Sequence, residues 1–250
     1  MRYIKSMVAA ACAAAVSIAG LPAQAATVDL ELQLLVDVSG SVSGTEFNLQ
    51  QQGYSDAFRD PAVQAAIASG TVGSIAVQLI YYSSSQAVGI DWIEVTAATA
   101  DDFADLIDAA ARPFFGGTDI DIALNFGVAE FVDNGFDSER QVIDVSGDGT
   151  SNAPDTAAAR DAALAAGVDA INGITIGGGQ TLQDFYLANV VGGADGFLEV
   201  ATDFVDFAAA VQRKLITEIT SGDVPLPGAL ILMLTGLGGL GFARGRKKAL

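Results

Sequence analysis

Leu34-Leu35-Val36-Asp37-Val38-Ser39-Gly40-Ser41 is the stretch that decides how this chain folds. It closes a strongly apolar run over 28–38, which predicts a buried strand that stops where serine and glycine begin. An acid at the strand's end and two serines at alternating positions place three oxygen-bearing side chains on one loop. Two later stretches repeat the theme. Gly116-Gly117-Thr118-Asp119 stands at the start of a helix-like run, and Ser146-Gly147-Asp148-Gly149 ends a second apolar run. Asp37, Ser39, Ser41, Thr118 and Asp148 together offer two carboxylates and three hydroxyls. Such hard oxygen ligands suit a small hard cation, Mg²⁺ or Mn²⁺. The carboxylates balance the charge of a divalent ion, and the neutral hydroxyls leave it electrophilic.

The pattern on either side of these loops is α/β. Helix-like stretches are expected over 45–58, with Thr45 as N-cap, and over 61–68 after Asp60. Strands follow at 74–82 and 87–95. Only Ser83-Ser84-Ser85 and their neighbours separate them. That gap is too short for a crossover helix, so this pair is predicted to be an antiparallel hairpin. Helices over 100–111, 119–132, 155–166, 181–190 and 202–219 alternate with strands at 141–145, 170–176 and 197–200. This order predicts a doubly wound sheet with helices on both faces, and ligands at the carboxyl ends of its strands. No internal repeat and no second domain is visible.

Asp-x-Ser-x-Ser, Gly-Gly-Thr-Asp and Val-Ser-Gly-Asp-Gly, each in this setting, resemble the metal-ion-dependent adhesion site (MIDAS) of the von Willebrand factor A (vWA) domain. The resemblance covers about residues 30–219. It is nearest to an uncharacterised bacterial exported vWA group, through Gln52-Gly53-Tyr54, Phe58-Arg59-Asp60-Pro61, Val142-Ile143-Asp144-Val145, Ala170-Ile171-Asn172-Gly173 and Arg213-Lys214-Leu215. It implies a three-layer, Rossmann-like fold whose mainly parallel six-stranded sheet has one antiparallel edge strand. It also implies a metal that bridges to an acidic group on a protein or polymer ligand. Asp144 departs from the wider vWA pattern by placing an acid inside a strand that is usually apolar. Shared parity with Asp148 allows it to support the metal loop, but a hydrogen-bonded niche in the core is the favoured expectation.

The two ends read differently from the body. Residues 1–25 carry Arg2 and Lys5, an apolar run and Ala23-Gln24-Ala25, the pattern of a secretory signal peptide. The single cysteine, Cys12, lies within it, so no disulfide is expected in the exported body, residues 26–221. Residues 222–250 hold Val224-Pro225-Leu226-Pro227, an apolar run over 228–243, then Arg244, Arg246, Lys247 and Lys248. A helix of that run would be about 24 Å long, short of a hydrocarbon core of roughly 30 Å. The tripartite order resembles the Pro-Glu-Pro-type C-terminal sorting signals of Gram-negative bacteria, in a Val-Pro-Leu-Pro variant. It implies an exosortase-type processing enzyme and transient or permanent contact of the tail with the inner membrane, its basic end cytoplasmic.

Charge and composition exclude several functions. Residues 26–221 contain 29 acidic and six basic side chains, a net −23. Such a surface repels nucleic acid and anionic lipid. With no histidine in the chain, Ser-His-Asp catalysis and imidazole-bound zinc are both excluded. Gly177-Gly178-Gly179 lacks the lysine of a phosphate-binding P-loop and reads as a turn. Asp101 and Asp102, and Asp119 and Asp121, read as helix-start acids, while Trp92 and the phenylalanines fit core positions. The expectation is therefore an exported, metal-dependent binding domain of the cell envelope. The alternatives are a metal-dependent hydrolase or a surface or matrix protein whose metal only stabilises the fold.

Overall fold

The computed structural model describes residues 25–221. Among them, six strands of four or more residues build the central sheet: β1 (Glu31–Asp37), β2 (Ser74–Tyr82), β3 (Gln86–Thr96), β4 (Gln141–Gly147), β5 (Ala170–Ile176) and β6 (Leu198–Ala201). Their order is β3-β2-β1-β4-β5-β6. All neighbours are parallel except β2 and β3, which pair antiparallel from Ser74↔Thr96 to Tyr82↔Gln86. The hairpin expected across the three serines is therefore present, and β3 is the antiparallel edge. A two-residue bridge, Gly192–Gly193, adds a seventh, antiparallel member beside the start of β5. Separately, Ala26–Thr27 pairs with Phe136–Asp137.

Among the described residues seven helices cover the sheet: α1 (Gly44–Arg59), α2 (Pro61–Ser69), α3 (Ala100–Ala109), α4 (Ile120–Ala129), α5 (Ala153–Ala166), α6 (Gly179–Asn189) and α7 (Phe207–Thr220). One core joins β-strand residues Leu32, Leu34 and Val77 to Tyr54, Phe58, Phe103, Phe207 and Leu215 of α1, α3 and α7. A second, on the opposite face, joins Leu35, Ile80, Ile143 and Val145 to Ile120, Leu124, Leu182 and Tyr186 of α4 and α6. Each large apolar side chain so buried contributes roughly 1.5–3 kcal/mol. β1 is buried along its whole length, as a central parallel strand must be. Two of its polar residues are tied to neighbouring elements. Glu31 accepts from Asn134, Ser138 and Gln141, and Gln33 donates to Gln78 and to the Gly127 carbonyl.

Helix starts differ from the expectation, most tellingly those of α1 and α7. α1 is capped by Ser43, not Thr45: Ser43 accepts from the Glu46 amide while Glu46 accepts from the Ser43 amide. That reciprocal box satisfies two end donors where a lone Thr45 would satisfy one. α7 begins at Phe207, not Thr202. The intervening residues form turns in which the Asp203 carboxylate accepts from the Val205 and Asp206 amides and Thr202 donates to Asp206. The aromatic expectation also needs correcting. Trp92 is only half-buried, on the edge strand, donating to the Glu130 carbonyl and packing on Phe131, while Phe115 is 70% exposed.

Asp144 lies in a buried core niche, but an ion-paired one rather than the hydrogen-bonded one expected, since neither of its oxygens has a hydrogen-bond partner among the described residues. It points from β4 toward α7, its Oδ1 lying 2.7 Å from Lys214 Nζ, and both residues are buried. Among the described residues no helix is long and apolar enough to cross a membrane. The signal peptide, apart from Ala25, and the tail over 222–250 lie outside the described residues.

Candidate metal centre

The chain leaves β1 for β2 on one side of the sheet and β4 for β5 on the other. The carboxyl ends of β1 and β4 therefore form the topological switch point, where open α/β sheets bind ligands. Asp37 is the last residue of β1, and Asp148 directly follows β4. The fold thus brings together the residues that the sequence singled out. Ser39 and Ser41 hydroxyls lie 2.9 Å apart, and Ser41 donates to Asp148 Oδ1 at 2.6 Å. Thr118 joins them beside Gly149, where an added Cβ would stand 3.1 Å from Thr118 Oγ1. Gly40 donates to the Gly116 carbonyl at 2.7 Å, tying the first loop to the second.

The two carboxylates differ in setting. Asp148 is half-buried, but Asp37 is fully covered. Asp37 Oδ1 accepts from the Ser39 amide at 2.7 Å. Its Oδ2 is buried with no hydrogen-bond partner among the described residues. Burial pushes the Asp37 carboxyl up to about 6, with the Ser39 amide and hydroxyl opposing and the Asp148 charge adding. A buried anionic oxygen without a partner is costly unless a cation meets it. Beneath it, Gly147 is required by close approach. A Cβ there would lie 2.7 Å from the hydroxyls of Tyr82 and Tyr186 and 2.9 Å from Asp37 Oδ2.

One residue of this centre escaped the sequence reading. Arg112 clasps the first loop from below. Its guanidinium donates to the carbonyls of Val38, Ser39 and Val42 at 2.7–2.8 Å and stacks 4.0 Å from the Phe115 ring centroid. Burial lowers its pKa, with the Asp37 charge opposing. The only available signal was its rarity, as one of six basic residues in the body. The other candidates are structural. Asp101 and Asp102 sit in the first turn of α3, and Asp121, in the first turn of α4, accepts from Ser151. Gly177, Gly178 and Gly179 all have positive φ and form the turn into α6.

Two carboxylates and three hydroxyls fit a divalent cation by their chemistry, and the orphaned Asp37 oxygen gives such an ion a place. Among the described residues no three His, Cys, Asp or Glu side chains group as metal ligands. Any ion here depends on the hydroxyls.

The sheet order, its antiparallel edge and its three layers are those of vWA domains. Solved structures with this fold include the pilus adhesin SpaC from Lactobacillus rhamnosus GG, 13% identical with a TM-score of 0.58 over 79% of this chain and 31% of that one. A von Willebrand factor type A protein from Catenulispora acidiphila is 13% identical, with a TM-score of 0.56 over 77% and 43%. Proximal thread matrix protein 1 from the mussel byssus, solved with a zinc-occupied MIDAS motif, is 14% identical, with a TM-score of 0.55 over 78% and 46%. The chain spans less than half the length of each of the three. Within this fold, the chain belongs to the family described as "Protein of unknown function (DUF1194)", whose model matches residues 27–223. No curated protein matches it.

Proposed function

We propose that this protein is an exported binding domain. In this reading it holds Mg²⁺ or Mn²⁺ through Asp37, Ser39, Ser41, Thr118 and Asp148, and engages a carboxylate-bearing protein or polymer at the bacterial envelope. The observation that carries the reading is the buried, unpartnered Asp37 oxygen, in a loop whose serines already chain to Asp148. When bound, the cation supplies a hard electrophilic position that an incoming carboxylate completes. The chain's own part is to hold the loops. Arg112 fixes the first loop's carbonyls, Gly40 links it to the second, and Gly147 lets Asp37 approach the tyrosines. No histidine is available to act as a general base, which favours binding over hydrolysis.

In the same reading residues 1–25 direct export and residues 222–250 form a sorting signal, processed by an exosortase-type enzyme at the inner membrane. Residues 26–221 are the mature vWA domain. The test is retention of immobilised protein on envelope fractions of a native host. Retention in Mg²⁺, lost in EDTA and in Asp37→Ala, is expected. Equal retention in EDTA would leave the domain a scaffold with no metal-bridged ligand.

A further inference from the structure

The face of the sheet covered by α7 holds a second group of chemistry-bearing residues, buried among apolar side chains. Lys214 and Glu218 are one turn apart on α7, and both are fully covered. Below them Asp144 of β4 stands beside Asn172 of β5 in register. Lys214 donates to Glu218 Oε1 at 2.5 Å, and Asn172 donates to the same oxygen at 2.8 Å. The Phe197 ring lies 5.5 Å from Lys214 Nζ and helps exclude water.

The approach of Lys214 to Asp144 is unlike an ordinary ion pair. Nζ stands 2.7 Å from Oδ1, yet neither Asp144 oxygen has a hydrogen-bond partner among the described residues. The nitrogen is close to the carboxyl group but off the direction a hydrogen bond requires. The charges do not balance either, since one ammonium faces two carboxylates in a dry core. Burial favours neutral forms, and Asp144 is pushed up to about 7 by burial, with Lys214 opposing and Glu218 adding. A proton passed from the ammonium to a carboxylate leaves a neutral amine beside a carboxylic acid. A desolvated lysine amine is a nucleophile, and holding the two groups in contact removes the entropic barrier to their reaction.

We propose that Lys214 and Asp144 condense to an intramolecular amide, with Glu218 as the proton shuttle. Lys214 Nζ attacks Asp144 Cγ and the N–C bond forms. Glu218 takes one proton from the nitrogen and delivers it to the departing hydroxyl. The C–O bond breaks, one water leaves, and the amide keeps one N–H. Nothing is oxidised or reduced, and no co-reactant is needed. The bond ties the central strand whose end carries Asp148 to the last helix of the domain, so that α7 cannot peel away without breaking a covalent link.

Peptide mapping of the purified full chain tests this. After denaturation and trypsin digestion, the expected product is a branched peptide joining residues 141–160 to a peptide that begins at Lys214. Its mass is one water below the sum of the two, and there is no cleavage after Lys214. A linear 141–160 peptide, together with one that begins at Leu215, from natively folded protein would overturn the proposal. Glu218→Gln keeps the shape of the niche and is checked for folding by circular dichroism. A folded, unlinked variant is expected. Full linkage in that variant would overturn the shuttle role of Glu218.

Discussion

Arg112 and Asp37 show what single residues contribute. Three loop carbonyls depend on one half-buried guanidinium, and hydrogen bonds to charged groups contribute about 1.5–3 kcal/mol each. Arg112→Gln should lower stability by about 2 kcal/mol, read by urea denaturation in EDTA, and should weaken Mg²⁺ binding. Unchanged metal affinity would show that the loop holds its shape without the clasp. Asp37 sets a pH dependence. Its folded pKa, about 6, lies above its ordinary 3.8, so between these values the folded state binds more protons than the unfolded one. The Asp37 contribution to metal-free stability therefore falls as pH rises through that window. In EDTA, Asp37→Asn should show a flatter stability profile between about pH 4 and 6 than wild type. A parallel pair of profiles would mean that the carboxyl is not held in a desolvated state.

Elements were legible where local pattern and tertiary demand agree. β2 and β5 run over the expected residues because apolar runs flanked by glycine and serine have one good solution in a parallel sheet. Asp37 and Asp148 were legible because an acid that ends an apolar run falls at a strand's carboxyl end. Arg112 was not, because its partners lie about seventy residues away in sequence. Lys214 was hidden for another reason. Beside Arg213 it reads as the charged face of a closing helix, but Arg213 turns outward to Glu199 while Lys214 turns into the core. The start of α1 was misplaced by one local competition, Ser43 against Thr45. Ser43→Ala removes the side chain that accepts from Glu46 and should cost about 1 kcal/mol in urea denaturation. Thr45→Ala, which caps nothing, should be near neutral. Equal losses would refute the box.

At the scale of the whole molecule, the net −23 of residues 26–221 works against an acidic partner. Screening acts over about 8 Å at physiological salt. Added salt should therefore speed association with a captured carboxylate ligand, while EDTA abolishes it at every salt concentration. Slower association with salt would point to a basic contact surface instead. The tail makes a separate prediction: protein from a native host should lack the residues after about Val224. Intact mass decides this, and recovery of a chain ending at Leu250 on the outer surface would refute cleavage. In the proposed function, five side chains from three loops hold one divalent cation. Calorimetric titration of the protein with Mg²⁺ and Mn²⁺ tests it most directly, beside Asp37→Ala, Asp148→Ala and Ser41→Ala. One site per chain is expected, lost in both aspartate variants with the fold retained and only weakened in Ser41→Ala; equal affinity in wild type and Asp37→Ala would refute it.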